Sequence, residues 1–382
     1  MTIERHSRMR QIELGQRLAS RRKVYLDACF WIMVRDAALG IRTGASERKI
    51  LHFLRRGVRA GTIVCPISAS MFMELMKQPF TPERRIATAR LIDELSLGVS
   101  IMAEHMVRGT EISAFLHAAQ EDVSLHPLQE LVWTKVSYVL GDIYPALDFL
   151  SPDEELEMQK KFFDHLWDQS LSSMIGTIGN APVPGDHFQA LSKDTNVQTQ
   201  IYRDELKSYE GTYDIELRGV IEVVGDVAAD IIGDMAASAT GQRLVPTPEE
   251  RAETVKMCRN LLYHAMKQRK HRAVLRTLHV GVSLHSGMRW DKERKFKPND
   301  YYDFQHATTA LSYCDYFLTD GPLHILITRP QLDLERVNGC KVLSDPAEAA
   351  EAMRVAARPR YAPPTGHGRH SHEPLIPTPP RV

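Results

Sequence analysis

Four carboxylates scattered over most of the chain, Asp27, Glu74, Asp303 and Asp320, fall where an alternating strand–helix framework would present them together. If such side chains close to within about 4 Å, each like-charge pair costs roughly 4 kcal/mol at an effective dielectric near 20. A cluster of four therefore calls for a cation, and carboxylate oxygens select a hard one, Mg2+ or Mn2+. An ion held in that way activates a water and stabilises charge on a phosphodiester undergoing in-line displacement. Each acid also has an ordinary structural reading. Asp27 and Asp303 could cap helices, Glu74 could answer a helix dipole, and Asp320-Gly321 is a common turn dipeptide. Joint placement of all four favours the metal site.

The elements that must position these acids can be read in order. Residues 3–22 form a basic helix with Ile12, Leu14 and Leu18 apolar, and a strand over 23–26 ends on Asp27. Helices follow over 28–40 and 46–60, then a strand over 62–67 and a helix with Met71, Phe72, Leu75 and Met76 on its apolar side. Glu74 lies off that side. A helix over 81–96 and a strand at 99–102 come next. In the motif NDYYDFQHATTALSYCDYFLTD (299–320), Ala307, Ala310, Leu311 and Cys314 recur at i, i+3, i+4 and i+7, one helix face. Asp303 opens that helix, and the aromatic strand 316–318 leads to Asp320. A helix over 321–329, a strand at 340–343 and a helix over 346–356 complete the pattern. Strand and helix in alternation predict an α/β fold with a parallel sheet, whose ligands bind beyond the strands' carboxyl ends. From 105 to 295 the period is 3.6, which predicts an all-α insertion, and seven prolines within 358–382 predict a disordered tail.

Of the 382 residues, 25% are charged and 43% hydrophobic, an ordinary globular balance with material for one large domain or two. The zero net charge hides an asymmetry: residues 1–60 carry 14 Lys/Arg against 5 Asp/Glu, 140–236 carry 6 against 19, and 256–297 carry 12 against 2. The last segment abuts the acid motif, which suits a polyanion. Lys267, Arg269, Lys270, Arg272, Arg276, Arg289, Arg294 and Lys295 are the candidate phosphate contacts, and Trp290 and Phe296 could stack on unpaired bases. A solvated helix face over 249–277 is the plainer alternative. No run approaches the ~18 apolar residues of a membrane span, and no secretory signal is visible. Five scattered cysteines without a CxxC pair fit reduced thiols in a cytoplasmic protein. A Walker-type phosphate loop is absent, and Cys29 stands where a haloacid-dehalogenase-type phosphatase needs a second Asp.

The segments VYLDACFW, ISASMFMEL and DFQHATTALSYCDYFLTD together resemble the PIN-domain family of metal-dependent nucleases, over residues 20–104 and 296–356. The resemblance implies a PIN-like α/β/α sandwich around a central parallel sheet. Residues 1–22 are then a separate basic helix, 105–295 an insertion, and 357–382 a tail. It implies Asp27, Glu74, Asp303 and Asp320 as catalytic ligands of Mg2+ or Mn2+, Thr319 as a supporting hydroxyl, and Asp300 and Asp315 as outer members. The expected activity is phosphodiester hydrolysis by an endoribonuclease. The alternative is a catalytically inactive PIN-like module that binds RNA or a protein partner through the insertion, which is also a candidate homodimer surface. Small toxins of the family lack so long an insertion.

Overall fold

The computed structural model describes residues 2–42, 44–78, 82–118, 126–179, 188–242 and 245–359. Six strands occur among them: β1 (Arg22–Leu26), β2 (Ile63–Val64), β3 (Val99–Ile101), β4 (Trp133–Lys135), β5 (Tyr316–Leu318) and β6 (Lys341–Leu343). Four make a parallel sheet in the order β2-β1-β5-β6. Its register sets Val24 opposite Tyr316, Leu26 opposite Leu318, and Phe317 opposite Val342. β3 pairs with β4 in antiparallel fashion and meets the chain after β2 through a parallel bridge between Ile67 and Ser100.

Helices cover both faces of the sheet, as the β1 sequence demands. Val24, Tyr25 and Leu26 are each fully buried, and successive side chains point to opposite faces. Val24 and Leu26 join one core with Phe30, Trp31, Leu54 and Met353, while Tyr25 joins another with Leu311, Phe317 and Leu284. The α/β expectation with a parallel sheet therefore holds, in a chain that is otherwise mostly helical.

Three expectations about organisation need correction. The segment 105–295 is not all-α, because β4 lies within it and extends the β3 edge. Nor does it pack apart from the sheet: Trp133, Phe163, Trp167, Leu284 and Met288 share one core with Tyr25 and Phe317. The long helix Tyr209–Thr240 does build a further core with Pro248–Met266 and Arg276–Trp290, through Leu217, Leu262, Leu275 and Leu278. The N-terminal helix Ile3–Leu18 is likewise integral, since Ile3, Leu14 and Leu18 are buried and Arg8 donates to the Leu131 carbonyl at 2.7 Å. Finally, the basic helix expected over 249–277 is broken into Pro248–Met266, Arg269–Arg272 and the start of Arg276–Trp290. The tail from 360 onward lies outside the described residues. Among the described residues no helix is long and apolar enough to cross a membrane.

Candidate metal centre

Because β1 and β5 are parallel neighbours, Asp27 and Asp320 emerge side by side at their carboxyl ends. Each caps the helix that follows it. Asp27 Oδ1 accepts from the Phe30 N–H at 3.1 Å, and Asp320 Oδ1 accepts from the Leu323 N–H at 3.0 Å. Asp27 Oδ2 also accepts from the Asp320 N–H at 3.2 Å, tying the two strand ends together. Capping fixes both rotamers yet leaves lone pairs on each carboxylate, so the structural and chemical readings coexist.

Glu74 arrives from the helix Ala69–Lys77, which Ser68 caps. His306, only 1% exposed, holds it through Nε2 and Oε2 at 2.7 Å. On its other side His306 Nδ1 meets the Tyr25 hydroxyl at 2.6 Å, Tyr25 meets Ser68 Oγ at 2.6 Å, and Ser68 meets Ser70 Oγ at 2.9 Å. Burial alone would lower the His306 pKa, but the hydrogen bond and charge of Glu74, with Asp27 and Asp303, outweigh it and raise it. As an imidazolium His306 donates to both Glu74 and Tyr25, and Tyr25 then donates to Ser68.

Asp303 does not open its helix. Pro298–Tyr313 begins five residues earlier, with proline in its first turn and the Asp300 carboxylate accepting from the Lys297 N–H at 2.7 Å. Asp300, expected among the outer acids, is thereby engaged as a cap. Asp303 lies a turn further in, three residues before His306 and so on the same helix side. Asn299 Nδ2 donates to its Oδ1 at 3.2 Å. Burial first, then the charge of Asp320, then Glu74 and Asp27, push the Asp303 carboxyl up to about 7, partly offset by His306. The Asp27 carboxyl is raised by burial against the stabilising pull of Cys29, Thr319 and the Phe30 N–H. The Cys29 thiol is pushed up by desolvation and by the charges of Asp27, Asp320 and Asp303. These mutual influences put Asp27, Glu74, Asp303 and Asp320 in one electrostatic neighbourhood. Thr319 is fully buried within it, and beyond its pull on Asp27 its hydroxyl makes no hydrogen bond of good geometry among the described residues.

Asp315 is elsewhere. Its Oδ2 accepts from the Lys23 N–H at 2.8 Å, at the amino ends of β1 and β5, so it secures the strand pair from the opposite edge. The expectation that it supports the site is corrected.

The donor set, carboxylate oxygens with one buried imidazole behind them, suits a hard cation. Among the described residues, however, no three His, Cys, Asp or Glu side chains stand close enough to share an ion. The acids converge without closing into a coordination sphere: His306 occupies Glu74, and the caps engage Asp27 and Asp320. Beside Glu74 opens a cleft of about 440 Å³, lined also by Lys77, Gln78, Lys297, Asn299 and Tyr302. The Lys77 ammonium lies 4.1 Å from the Tyr302 ring centroid and hydrogen-bonds its hydroxyl.

Half of the basic residues expected to grip a polyanion are committed inside the protein. Lys267 pairs with Asp214, and Arg289 pairs with Glu216. Arg272 donates to the Met266 carbonyl at 2.7 Å, and Arg276 to those of Ala273 and Ser312 at 2.8 and 3.1 Å. Phe296 is buried in the core and so is not presented to bases, whereas Trp290 packs edge-on to Tyr209 and stays half-buried. Arg269, Lys270 and Lys295 are exposed and Arg294 is half-buried.

Sequence reasoning passed over the relay through Tyr25, His306 and Ser68. Asp303 and His306 carry a local signal, the i, i+3 spacing, but Tyr25 is 281 positions from its partner and looks like any strand residue. No protein-family model, curated protein or solved structure matches the chain.

Proposed function

We propose that the chain is a PIN-like, Mg2+- or Mn2+-dependent nuclease that hydrolyses phosphodiester bonds, acting as an endoribonuclease in the cytoplasm. The observation that supports the reading is that Asp27 and Asp320 stand side by side beyond neighbouring parallel strands, the Asp320 N–H donating to Asp27 Oδ2 at 3.2 Å, with Glu74 held by His306 one turn after Asp303. A divalent cation bound among them would supply an activated water and offset charge on the phosphoryl group. The protein's own groups have separable roles. Asp27 and Asp320 are rigid donors, since each is fixed by its cap. His306 orients Glu74 and is in turn oriented by Tyr25. Lys77 and Lys297, in the cleft beside Glu74, offer cations to the phosphates flanking the bond to be cut. Free thiols at all five cysteines suit the reducing compartment.

Replacing Asp27 with Asn tests the reading, because asparagine is an equally good N-cap for Phe30, so the change removes the charge and the acceptor for the Asp320 N–H while keeping the cap. Metal-stimulated cleavage of RNA is expected to disappear while circular dichroism and thermal stability stay near wild type. Cleavage at the wild-type rate would overturn it. A second reading, an inactive PIN-like module that binds RNA or a protein, is favoured by one observation: among the described residues no three donors share a coordination sphere. It predicts oligonucleotide binding without turnover under any divalent cation.

A further inference from the structure

Half of the candidate polyanion contacts of residues 267–295 are engaged inside the protein, and the other basic stretch read from the sequence, within residues 1–60, keeps a charged face outward. The helix Ala45–Arg59 buries Ile50, Leu51, Leu54 and Val58 and turns a different face outward. On that face Arg48, His52, Arg55, Arg56 and Arg59 line an open groove of about 700 Å³. Their spacing of three and four residues makes one stripe down the helix. Arg55 is held by both oxygens of Glu94, each at 2.9 Å. Arg48, His52, Arg56 and Arg59 are exposed, and none forms an ion pair among the described residues.

Helix stability does not account for the stripe. Arg56 and Arg59 sit in the last turn, where a cation favours the dipole, but Arg48 lies in the first turn, where a cation is unfavourable. Aligned like charges spaced by four residues also repel one another. A surface that accumulates Arg48, Arg56 and Arg59, unpaired among the described residues, on one stripe is complementary to an extended anion. From Arg48 to Arg59 the stripe runs about 16 Å at the usual helical rise. One strand of a duplex carries a phosphate about every 3.4 Å of its axis, so the stripe spans several.

We propose that the face of Ala45–Arg59 is a nucleic-acid site that grips the phosphate backbone through Arg48, His52, Arg56 and Arg59. Such contacts position a strand without reading its bases, and binding through them weakens steeply with salt. The site is independent of the metal reading, since phosphate contacts need neither the four acids nor a cation.

The test is fluorescence anisotropy of a labelled 20-nucleotide RNA, single-stranded and duplex, with the full chain in EDTA over a salt series. Wild type is expected to bind with a steep logarithmic salt dependence. R48A/R56A/R59A is expected to bind about tenfold or more weakly near 0.1 M salt, with the slope shallower by about 2 on single strands. R203A/K207A, which removes two exposed charges outside both basic stretches, is expected to leave the slope within experimental scatter. Failure of the wild-type chain to bind either RNA, or equal losses in both variants, would overturn the proposal. So would tight binding to anionic phospholipid vesicles that competes RNA away, which would make the face a membrane contact. Because all substituted side chains are exposed, an unchanged circular dichroism spectrum is expected, and R56E supplies a single-site check of sign. Cleavage is not read, so loss of binding and loss of the nuclease reading remain distinct results.

Discussion

Asp27 shows how one side chain serves both as a cap and as a candidate ligand. Its backbone must be extended to close the strand, and its oxygens satisfy the exposed N–H groups of the helix that begins there. The sequence makes that position legible because strand, acid and helix follow without a break. Asp303 was legible only as an acid in a helix, since neither its depth in the helix nor its neighbours are local properties. Its carboxyl, driven up to about 7, implies that a bound divalent cation displaces a proton near neutral pH. Millimolar Mg2+ or Mn2+ is therefore expected to raise the melting temperature more at pH 8 than at pH 6, and an equal rise at both would contradict the site. A second buried acid gives a prediction free of metal. Glu111 accepts from the Thr277 N–H at 3.1 Å and from the Tyr313 hydroxyl at 2.6 Å, and burial still pushes its carboxyl up to about 7. Since the folded protein holds that proton more tightly than the unfolded chain, this contribution is full below the usual carboxylate pKa. It declines as pH rises towards about 7, by about 3 kcal/mol in all. Urea unfolding at pH 5 and pH 8 measures the decline, and Glu111→Gln is expected to flatten it.

At the scale of elements, the short strands and their following helices were readable because each strand is a short apolar run and the helix caps are local. The helix at 346–356, opened by Asp345 and Pro346, matched to the residue. β4 was not, because it lies within a stretch of helical period and Trp133 becomes a strand residue only by pairing with Ile101. The break after Met266 has no proline or glycine to announce it. It follows from tertiary packing, with Leu275 buried in the helical core and Arg272 turned back onto the Met266 carbonyl. Docking of the N-terminal helix yields a direct test. A Cβ on Gly15 would stand 2.2 Å from the Glu130 carbonyl oxygen and 2.6 Å from the Glu130 Cα, which are backbone atoms that yield little. Gly15→Ala is expected to destabilise by about 1–3 kcal/mol in denaturant unfolding. Gly176→Ala, in a helix with nothing within 4 Å, is expected to stabilise by several tenths of a kcal/mol to about 1 kcal/mol.

For the whole molecule, the decisive fact is that residues 105–295 are not an appendage. Val280, Leu284 and Met288 pack in one core with Tyr302, Phe304 and Phe317 around the candidate centre, and Trp133 lies in the same core. Joining 23–104 directly to 296–356 is expected to give an insoluble or non-cooperative product, whereas the full chain should melt with those elements in one transition; a stable, cooperatively folded fusion would restore the picture of an insertion. By itself the sequence determined the α/β framework, the parallel sheet, the acids at the strand ends and the uneven spread of basic charge. Periodicity, caps and charge counts are properties of neighbouring residues and need no partner across the fold. Only the tertiary structure decided that Asp315 faces the wrong edge, that His306 and Tyr25 stand behind Glu74, and which basic face stays open. Each of those depends on what packs opposite, often hundreds of residues away, and no local pattern encodes it.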